Sequence, residues 1–169
     1  VYCMEQDRWG RLWVGGDFGL ITTSQPLSEY DPGELLTFTD SIGSVPLPKG
    51  KMDPYQRLAV DQNGNLWAPI TTEKGSGFRV SFSARDEIQI DTLVRQDPMS
   101  HTVLCIKVSP QGDVWATSVN FDGDLLVWRG GNLAEVDTFK VSNPNPELII
   151  QDQAFRCMTI DGEGNVWLG

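Results

Sequence analysis

Basic residues are scarce in this chain, which has 13 lysines and arginines against 23 aspartates and glutamates, giving a formal net charge of −10. Proteins that bind nucleic acid need a basic stripe or patch facing the phosphates, and no cluster of Lys and Arg occurs here. Anionic membrane surfaces attract the same kind of basic cluster. The charge balance therefore argues against nucleic acid and anionic lipid as partners.

Long hydrophobic runs and helical periodicity are also missing. A transmembrane helix needs about 20 apolar residues, and no run approaches that length. No stretch keeps a helical pattern beyond a few residues. By contrast, 17 glycines and 10 prolines are spread along the 169 residues, of which 40% are hydrophobic. This composition is typical of a globular protein with many turns.

One seven-residue pattern occurs four times. It consists of Asp or Ser, two free positions, Gly, a polar residue, Leu or Val, and Trp. The copies lie at 7–13, 61–67, 109–115 and 161–167. Their tryptophans are 54, 48 and 52 residues apart, and an aromatic signature with a period near 50 is typical of repeat architectures. The first residue can accept hydrogen bonds from the N–H groups that follow it, and Gly can adopt the left-handed conformation of a tight hairpin.

Each copy of the pattern joins two predicted strands. The segments before it are short and rich in apolar and β-branched residues, and those after it begin at the Leu or Val before Trp. The first strands are predicted at 1–6, 55–60, 103–108 and 155–160, and the second near 12–14, 66–68, 114–116 and 166–168. Third strands are predicted near 18–22, 78–82 and 124–128, and fourth strands near 35–39, 89–94 and 133–139. Four antiparallel strands in about 50 residues form one blade of a β-propeller.

We therefore predict an all-β fold: a β-propeller fragment of about three four-stranded blades and the start of a fourth. The predicted blades span 1–54, 55–102, 103–154 and, incompletely, 155–169. The repeat tryptophans are large enough to fill the gap between packed sheets. Propellers close with about four to eight blades, so we expect open blade edges that invite association. We therefore expect these edges to be covered either by the remainder of a longer propeller chain or by a second copy of this chain.

One position in the first strand singles out a candidate binding residue. Cys3, Cys105 and Cys157 each lie ten residues before a repeat tryptophan, and the second repeat has Arg57 there. We expect small buried thiols at this position, and equivalent positions of different blades are unsuited to disulfide geometry. A charge on an inner strand must be paired or reach water. Arg57 therefore either pairs with a neighbouring carboxylate or lines the central channel and meets an anionic or sugar ligand.

Few residue groups in this sequence are suited to metal binding or catalysis. A calcium loop starting at Asp61 would need Gly at its sixth position and Glu at its twelfth, but Gly64 is fourth and Thr72 is twelfth. His101 is the single histidine, whereas a zinc site needs several His or Cys ligands together. No nucleophile elbow, P-loop or dinucleotide motif occurs. We predict no catalytic residue, metal or cofactor, and treat His101 as a loop residue.

Aromatic residues at propeller rims offer a second kind of candidate, because their rings can stack on sugars. Trp9, Trp128 and Tyr30 are in suitable segments. Packing against a neighbouring side chain is the alternative for each of them.

The repeats resemble the two-component regulator propeller repeat, which typically reads D-x-x-G-N-L-W-I-G-T followed by Gly-Leu. Residues 7–20 carry the pattern with the closing Gly-Leu, and residues 61–67 and 161–169 match its core. The sequence departs from it at Pro69-Ile70 and Thr117-Ser118, which replace Gly-Thr, and at Ser109, which replaces Asp.

The resemblance implies a function. The family's best-known setting is the periplasmic sensor part of hybrid two-component systems of Bacteroidetes, where propellers sense carbohydrate. On that basis we expect a non-enzymatic binding module, periplasmic or at the cell surface, with a small-molecule or glycan ligand or a protein partner at a propeller face. Similar repeats imply two alternatives, an interaction platform of type IX secretion and a lyase-type propeller.

Overall fold

The computed structural model describes residues 1–73, 75–95, 102–119, 124–140, 155 and 157–169. Strands dominate this part of the chain, and its helices are the short 3-10 turns Leu27–Glu29 and Arg129–Gly131. Neither turn has the length or apolar character needed to cross a membrane.

Four sheets follow one another along the chain, and we refer to them as blades 1 to 4. Blade 1 contains β1 (Cys3–Gln6), β2 (Leu12–Gly16), β3 (Gly19–Thr23) and β4 (Phe38–Thr39); β5 (Ser41–Ile42) and β6 (Val45–Pro46) form a separate hairpin. Blade 2 contains β7 (Ala59–Val60), β8 (Leu66–Thr72), β9 (Gly75–Ala84) and β10 (Glu87–Arg95). Blade 3 contains β11 (Thr102–Val108), β12 (Val114–Val119), β13 (Asp124–Trp128) and β14 (Asp137–Lys140). Blade 4 contains β15 (Met158–Ile160) and β16 (Val166–Leu168).

The strands of each blade pair antiparallel in chain order, and the register is the same in every blade. The residue two positions beyond the Cys or Arg57 position pairs with the repeat tryptophan. The four pairs are Glu5 with Trp13, Ala59 with Trp67, Lys107 with Trp115 and Thr159 with Trp167. The first strands also contact one another in succession, β1 with β7, β7 with β11 and β11 with β15. They are thus the innermost strands, and the predicted all-β propeller fragment is confirmed.

The hairpin turns have the predicted geometry. In the first turn, Asp7 Oδ1 accepts hydrogen bonds from the backbone N–H of Trp9 (2.8 Å) and Arg11 (3.0 Å), and Oδ2 accepts the Trp13 indole N–H (2.8 Å). Gly10 has φ of +84°, which favours glycine. The carboxylates of Asp61 and Asp161 accept the equivalent bonds in their turns.

Two repeat tryptophans form the packing between blades. Trp13 and Trp67 are fully buried. The Trp13 ring meets Phe82 of β9 edge-on with centroids 6.0 Å apart, and the Trp67 ring lies 5.9 Å from Trp128 of β13. Each therefore packs against the third strand of the following blade, filling the gap between sheets as expected for so large a side chain.

The other two repeat tryptophans are in different surroundings. Trp115 is half-buried and stacks on Phe139 of its own blade, with centroids 6.2 Å apart. Trp167 is 61% exposed. The prediction of a tryptophan wedged between sheets is thus correct for blades 1 and 2 and wrong for blade 4, where no described strand lies over the indole.

Several strand boundaries differ from the predictions. The fourth strand of blade 1 was expected at 35–39 but comprises Phe38–Thr39, and Leu35 is 87% exposed. The segment 40–54, between the predicted strands of blades 1 and 2, contains the β5–β6 hairpin, and its Met52 is buried against the core. The first strand of blade 2 was expected from residue 55 but begins at Ala59.

Candidate functional site

Arg57 lies at the start of the innermost strand of blade 2, just outside it. A turn precedes it, because the Gln56 backbone N–H bonds to Asp53 O (3.0 Å) while Gln56 Oε1 accepts the Asp53 N–H (2.6 Å). The buried Gln56 side chain also donates to Val103 O of blade 3 (2.9 Å). The sequence prediction of an extended strand through Arg57 was therefore wrong, because Gln56 closes a turn and ties it to the next blade.

The Arg57 side chain is exposed and only partly hydrogen-bonded. Its Nη1 donates to the carbonyl oxygens of Pro54 (2.8 Å) and Gln56 (2.7 Å). Within the described residues it makes no ion pair with a carboxylate, so the expected pairing is not observed there. Its Nε and Nη2 have no partner in the same part of the chain. They are free to donate to a carboxylate, a phosphate or a sugar oxygen.

The thiols at the equivalent position show how the inner strands meet. Cys3 is buried, and burial raises its pKa, while a hydrogen bond with the Leu58 backbone of blade 2 opposes that rise. Cys105 is buried too, and burial raises its pKa. A hydrogen bond with the Met158 backbone of blade 4 opposes that rise. The positive charge of Arg57 opposes the rise for both thiols. The Arg57 charge is thus close enough to act on the thiols of both neighbouring blades.

The three cysteines are free, as the sequence predicted, but they are not alike. Cys3 and Cys105 are buried as expected, whereas Cys157 is exposed. Cys157 precedes β15, and its backbone bonds Gly169 in both directions (3.0 and 3.1 Å). Its exposure matches that of Trp167 on the same two-stranded blade.

The three aromatic candidates differ in burial and in the side chains that they contact. Trp128 is 3% exposed and packs on Trp67, so it is a core residue and cannot stack on a ligand. Trp9 is half-buried against the blade 1 core, and the Arg8 guanidinium lies 5.1 Å from its ring centre. Tyr30 is half-buried, and its hydroxyl lies within hydrogen-bond distance of Ser24 (3.1 Å) and Thr37 (3.0 Å). The structure does not bring these three together with Arg57.

A buried arginine that the sequence analysis missed lies between blades 1 and 2. Arg11 is 3% exposed; its Nη1 donates to Arg85 O (2.6 Å) and its Nη2 pairs with Asp86. In the second and fourth turns this position is Asn65 or Asn165, whose amide donates to the turn aspartate. The replacement of Asn by Arg was the signal in the sequence, analogous to the replacement of Cys by Arg57.

The remaining candidates from the sequence are metal ligands and the single histidine. In the described residues no group of three or more His, Cys, Asp or Glu could hold a metal ion. His101 lies outside the described residues.

Comparison with known proteins gives one family match and several structural matches. Residues 1–18 match the family model described as two component regulator propeller. No curated protein matches the sequence.

Three of the similar solved structures come from bacterial extracellular and surface proteins. One is the extracellular domain of BT4673 from B. thetaiotaomicron, described as a hybrid two component system in one structure and as a one component system in another (20% identity, TM-score 0.58). The match includes 99% of this chain and 22% of the BT4673 chain. Another is PorZ, a surface component of the type-IX secretion system of Porphyromonas gingivalis (13% identity, TM-score 0.62, 98% of this chain and 24% of PorZ).

This chain thus spans about a quarter of the length of the structures it matches. At these identities the likeness shows the fold. The predicted resemblance is confirmed, because residues 1–18 match the two component regulator propeller model and the described residues form a propeller-like all-β fold.

Proposed function

We propose that this chain is a non-enzymatic ligand-binding part of a bacterial envelope sensor, and that its ligand contacts Arg57 in the central channel. The observation that carries the proposal is the exposed Arg57 side chain, with free Nε and Nη2 among the described residues. It lies just before β7, one of the four innermost strands that contact one another in succession. A guanidinium with free N–H groups binds planar acceptors in a defined orientation.

The proposed ligand is a carbohydrate, and the proposed location is the periplasm or the cell surface. The likeness to the BT4673 extracellular domain and to PorZ, a surface component, supports the location. The carbohydrate is what the resemblance of the repeats to sensor propellers implies. Binding would act by changing the contacts of the propeller with an adjoining module, since a ligand shifts an equilibrium only through different affinities for its two states.

The experiment combines a panel of neutral and acidic oligosaccharides with two arginine variants. Arg57→Ala should weaken binding of any sugar found by 10-fold or more, equivalent to about 1.4 kcal/mol, and shift the melting temperature by less than about 2 °C. Arg129→Ala is the matched control, because Arg129 is also exposed but pairs with Asp113 and Asp137 in the outer part of blade 3. Unchanged affinity in Arg57→Ala would reject the site, and a panel without any binder would reject carbohydrate.

A second candidate function is an interaction platform in a surface secretion complex. The TM-score of 0.62 with PorZ supports it. The sequence flanking this chain distinguishes the sensor from the platform. A transmembrane helix followed by kinase modules would support the sensor and contradict the platform.

We also propose that a further blade covers Trp167. The equivalent Trp13 and Trp67 are fully buried under the third strand of the next blade, whereas Trp167 is 61% exposed. The isolated chain should therefore self-associate, and sedimentation velocity should show Trp167→Ser reducing the association. A monomer at all concentrations would contradict self-association through the edge that Trp167 leaves open.

A further inference from the structure

A small polar cavity lies where the first hairpin of blade 1 meets the β9–β10 turn of blade 2. Its volume is about 80 Å³. Arg11 and Asp86 line it together with the hydroxyl-bearing residues Thr23, Ser24, Thr39 and Ser41. Arg11 and Thr23 are buried while Ser24 and Asp86 are exposed, so the arginine lies at the inner end and the carboxylate at the mouth.

The arginine in this cavity is not fully hydrogen-bonded. Arg11 Nη1 and Nη2 are occupied by Arg85 O and Asp86, but its buried Nε has no partner. A buried N–H group left without an acceptor costs about 1–3 kcal/mol, and more when it is charged. Such a group in a native protein normally meets a water molecule or a ligand.

Two more unpaired donors occur at the same junction. In the described residues, the buried side-chain polar atoms without a partner are Arg11 Nε, Trp9 Nε1 and Arg85 Nε. Trp9 and Arg11 belong to one turn, and the Arg85 carbonyl accepts the Arg11 bond. All three atoms are N–H donors, and of the three residues only Arg11 lines the cavity.

The size of the cavity restricts the acceptor. About 80 Å³ exceeds the roughly 30 Å³ that one water occupies in the liquid and falls well below the ~300–1,000 Å³ of pockets that enclose a whole drug-sized ligand. A carboxylate group fits this range, and it can accept from Arg11 Nε and from the Thr23 hydroxyl, which among the described residues otherwise only accepts a bond from the Leu12 N–H. The Ser24 and Thr39 hydroxyls already bond Thr37 and Ser41.

From these observations we propose that the Arg11 cavity binds a carboxylate group, which comes either from a sugar acid such as a uronic acid or from a small free organic acid. Asp86 competes for the same guanidinium, and its side chain is 69% exposed, so it is able to move aside into water. This site is separate from Arg57 and does not depend on the function proposed for the channel.

The test titrates the chain with sodium glucuronate, sodium acetate and glucose at an ionic strength held constant with sodium chloride. The Arg11 Nε–H resonance is followed by NMR, because a new acceptor on this atom shifts it directly. A saturable shift with both acids supports binding of the carboxylate itself, and a shift with glucuronate alone supports a sugar acid. No saturable shift with either acid, or an equal shift with glucose, would overturn the proposal.

Three variants sharpen the result. Asp86→Asn removes the competing charge and should raise affinity for the acid at least 3-fold. Ser41→Val fills the cavity without touching Arg11 and should lower affinity at least 10-fold. Arg129→Gln changes an exposed arginine elsewhere and should leave affinity unchanged, which excludes a general charge effect. Equal affinity in the wild type, Asp86→Asn and Ser41→Val would overturn the site even with binding observed.

Discussion

Arg8 lies over Gly64, joining the hairpin turns of blades 1 and 2. A Cβ added to Gly64 would be 2.5 Å from Arg8 Cδ, and the Arg8 guanidinium donates to the carbonyl oxygens of Asn63 and Phe82 (both 2.9 Å). The next turns repeat the arrangement, with Gln62 over Gly112 and Gln111 over Gly164. The turn glycine therefore has two functions: it allows a positive φ, and it leaves room for a side chain of the preceding blade.

Gly64→Ala should destabilise the chain more than a backbone effect alone explains. A left-handed conformation costs about 1–2 kcal/mol for a residue with a Cβ, and overpacking against Arg8 adds a further ~1–3 kcal/mol. Gly33→Ala is the control, because Gly33 has φ of +89° with nothing within 4 Å of an added Cβ. Urea unfolding should show a loss at least about 1 kcal/mol larger for Gly64→Ala. Equal losses would mean that the contact between blades contributes nothing.

Trp13→Ala and Trp167→Ala should differ strongly in stability although both remove a repeat tryptophan. Trp13 is fully buried against Phe82, and truncating a buried Trp costs about 3–5 kcal/mol. Trp167 is 61% exposed and loses mainly its hydrogen bond to Asp161, which is worth about 1 kcal/mol. Chemical denaturation of the two variants measures the difference, and similar losses would contradict the burial pattern.

The turn of blade 4 should respond to acid. Hydrogen bonds from the Asn165 side chain and backbone, with smaller contributions from the Trp167 indole and the Glu163 backbone, lower the pKa of Asp161 to about 2. Because the folded pKa lies below the ordinary value of 3.8, the stabilisation is present above about pH 4 and is lost as the pH falls through about 2.

NMR can follow this transition at single residues. The Trp167 indole N–H donates to Asp161 Oδ2 (3.1 Å), so its resonance should titrate with a midpoint near 2. The Trp115 indole is the internal control, because Ser109 replaces the aspartate in that turn. A Trp167 midpoint near 4 would show that the turn bonds do not favour the ionised carboxylate.

The three thiols should react at different rates with a thiol reagent at pH 8. Cys157 is exposed and should react first. Burial raises the pKa of Cys3 and of Cys105, so both are shielded and carry less thiolate, which is the reactive form. Stopped-flow absorbance should show one fast and two slow thiols, and Cys157→Ser should remove only the fast phase. Three equal rates would contradict the placement of the inner strands.

Much of the fold could be predicted from the hairpin turns because their determinants are local. Asp61 and Gly64 act on residues within six positions of themselves, through hydrogen bonds and a backbone conformation that need no partner from elsewhere in the chain. The blade 2 strand boundary could not be predicted, because the Gln56 side chain that ends the turn before it bonds Val103, 47 residues away.

The candidate sites also depended partly on local sequence and partly on contacts between distant residues. Arg57 stood out because it replaces Cys at a repeated position. Its bonds to backbone carbonyls and its place outside the strand depend on the tertiary structure. Arg11 replaces Asn in the same way, but its role depends on Asp86, 75 residues further along. Trp128 looked like a rim aromatic, and only its packing on Trp67 showed it to be part of the core.

The sequence by itself determined the repeated hairpin, the blade order and the all-β architecture, because turn chemistry and strand alternation act over a few residues and recur with a period near 50. Tertiary structure alone decided which side chains of neighbouring blades meet: Trp13 with Phe82, Arg8 with Gly64, and Arg11 with Asp86. Those contacts join residues more than fifty positions apart, so they depend on the rotation and spacing of whole sheets about a common axis, and no local pattern specifies these quantities.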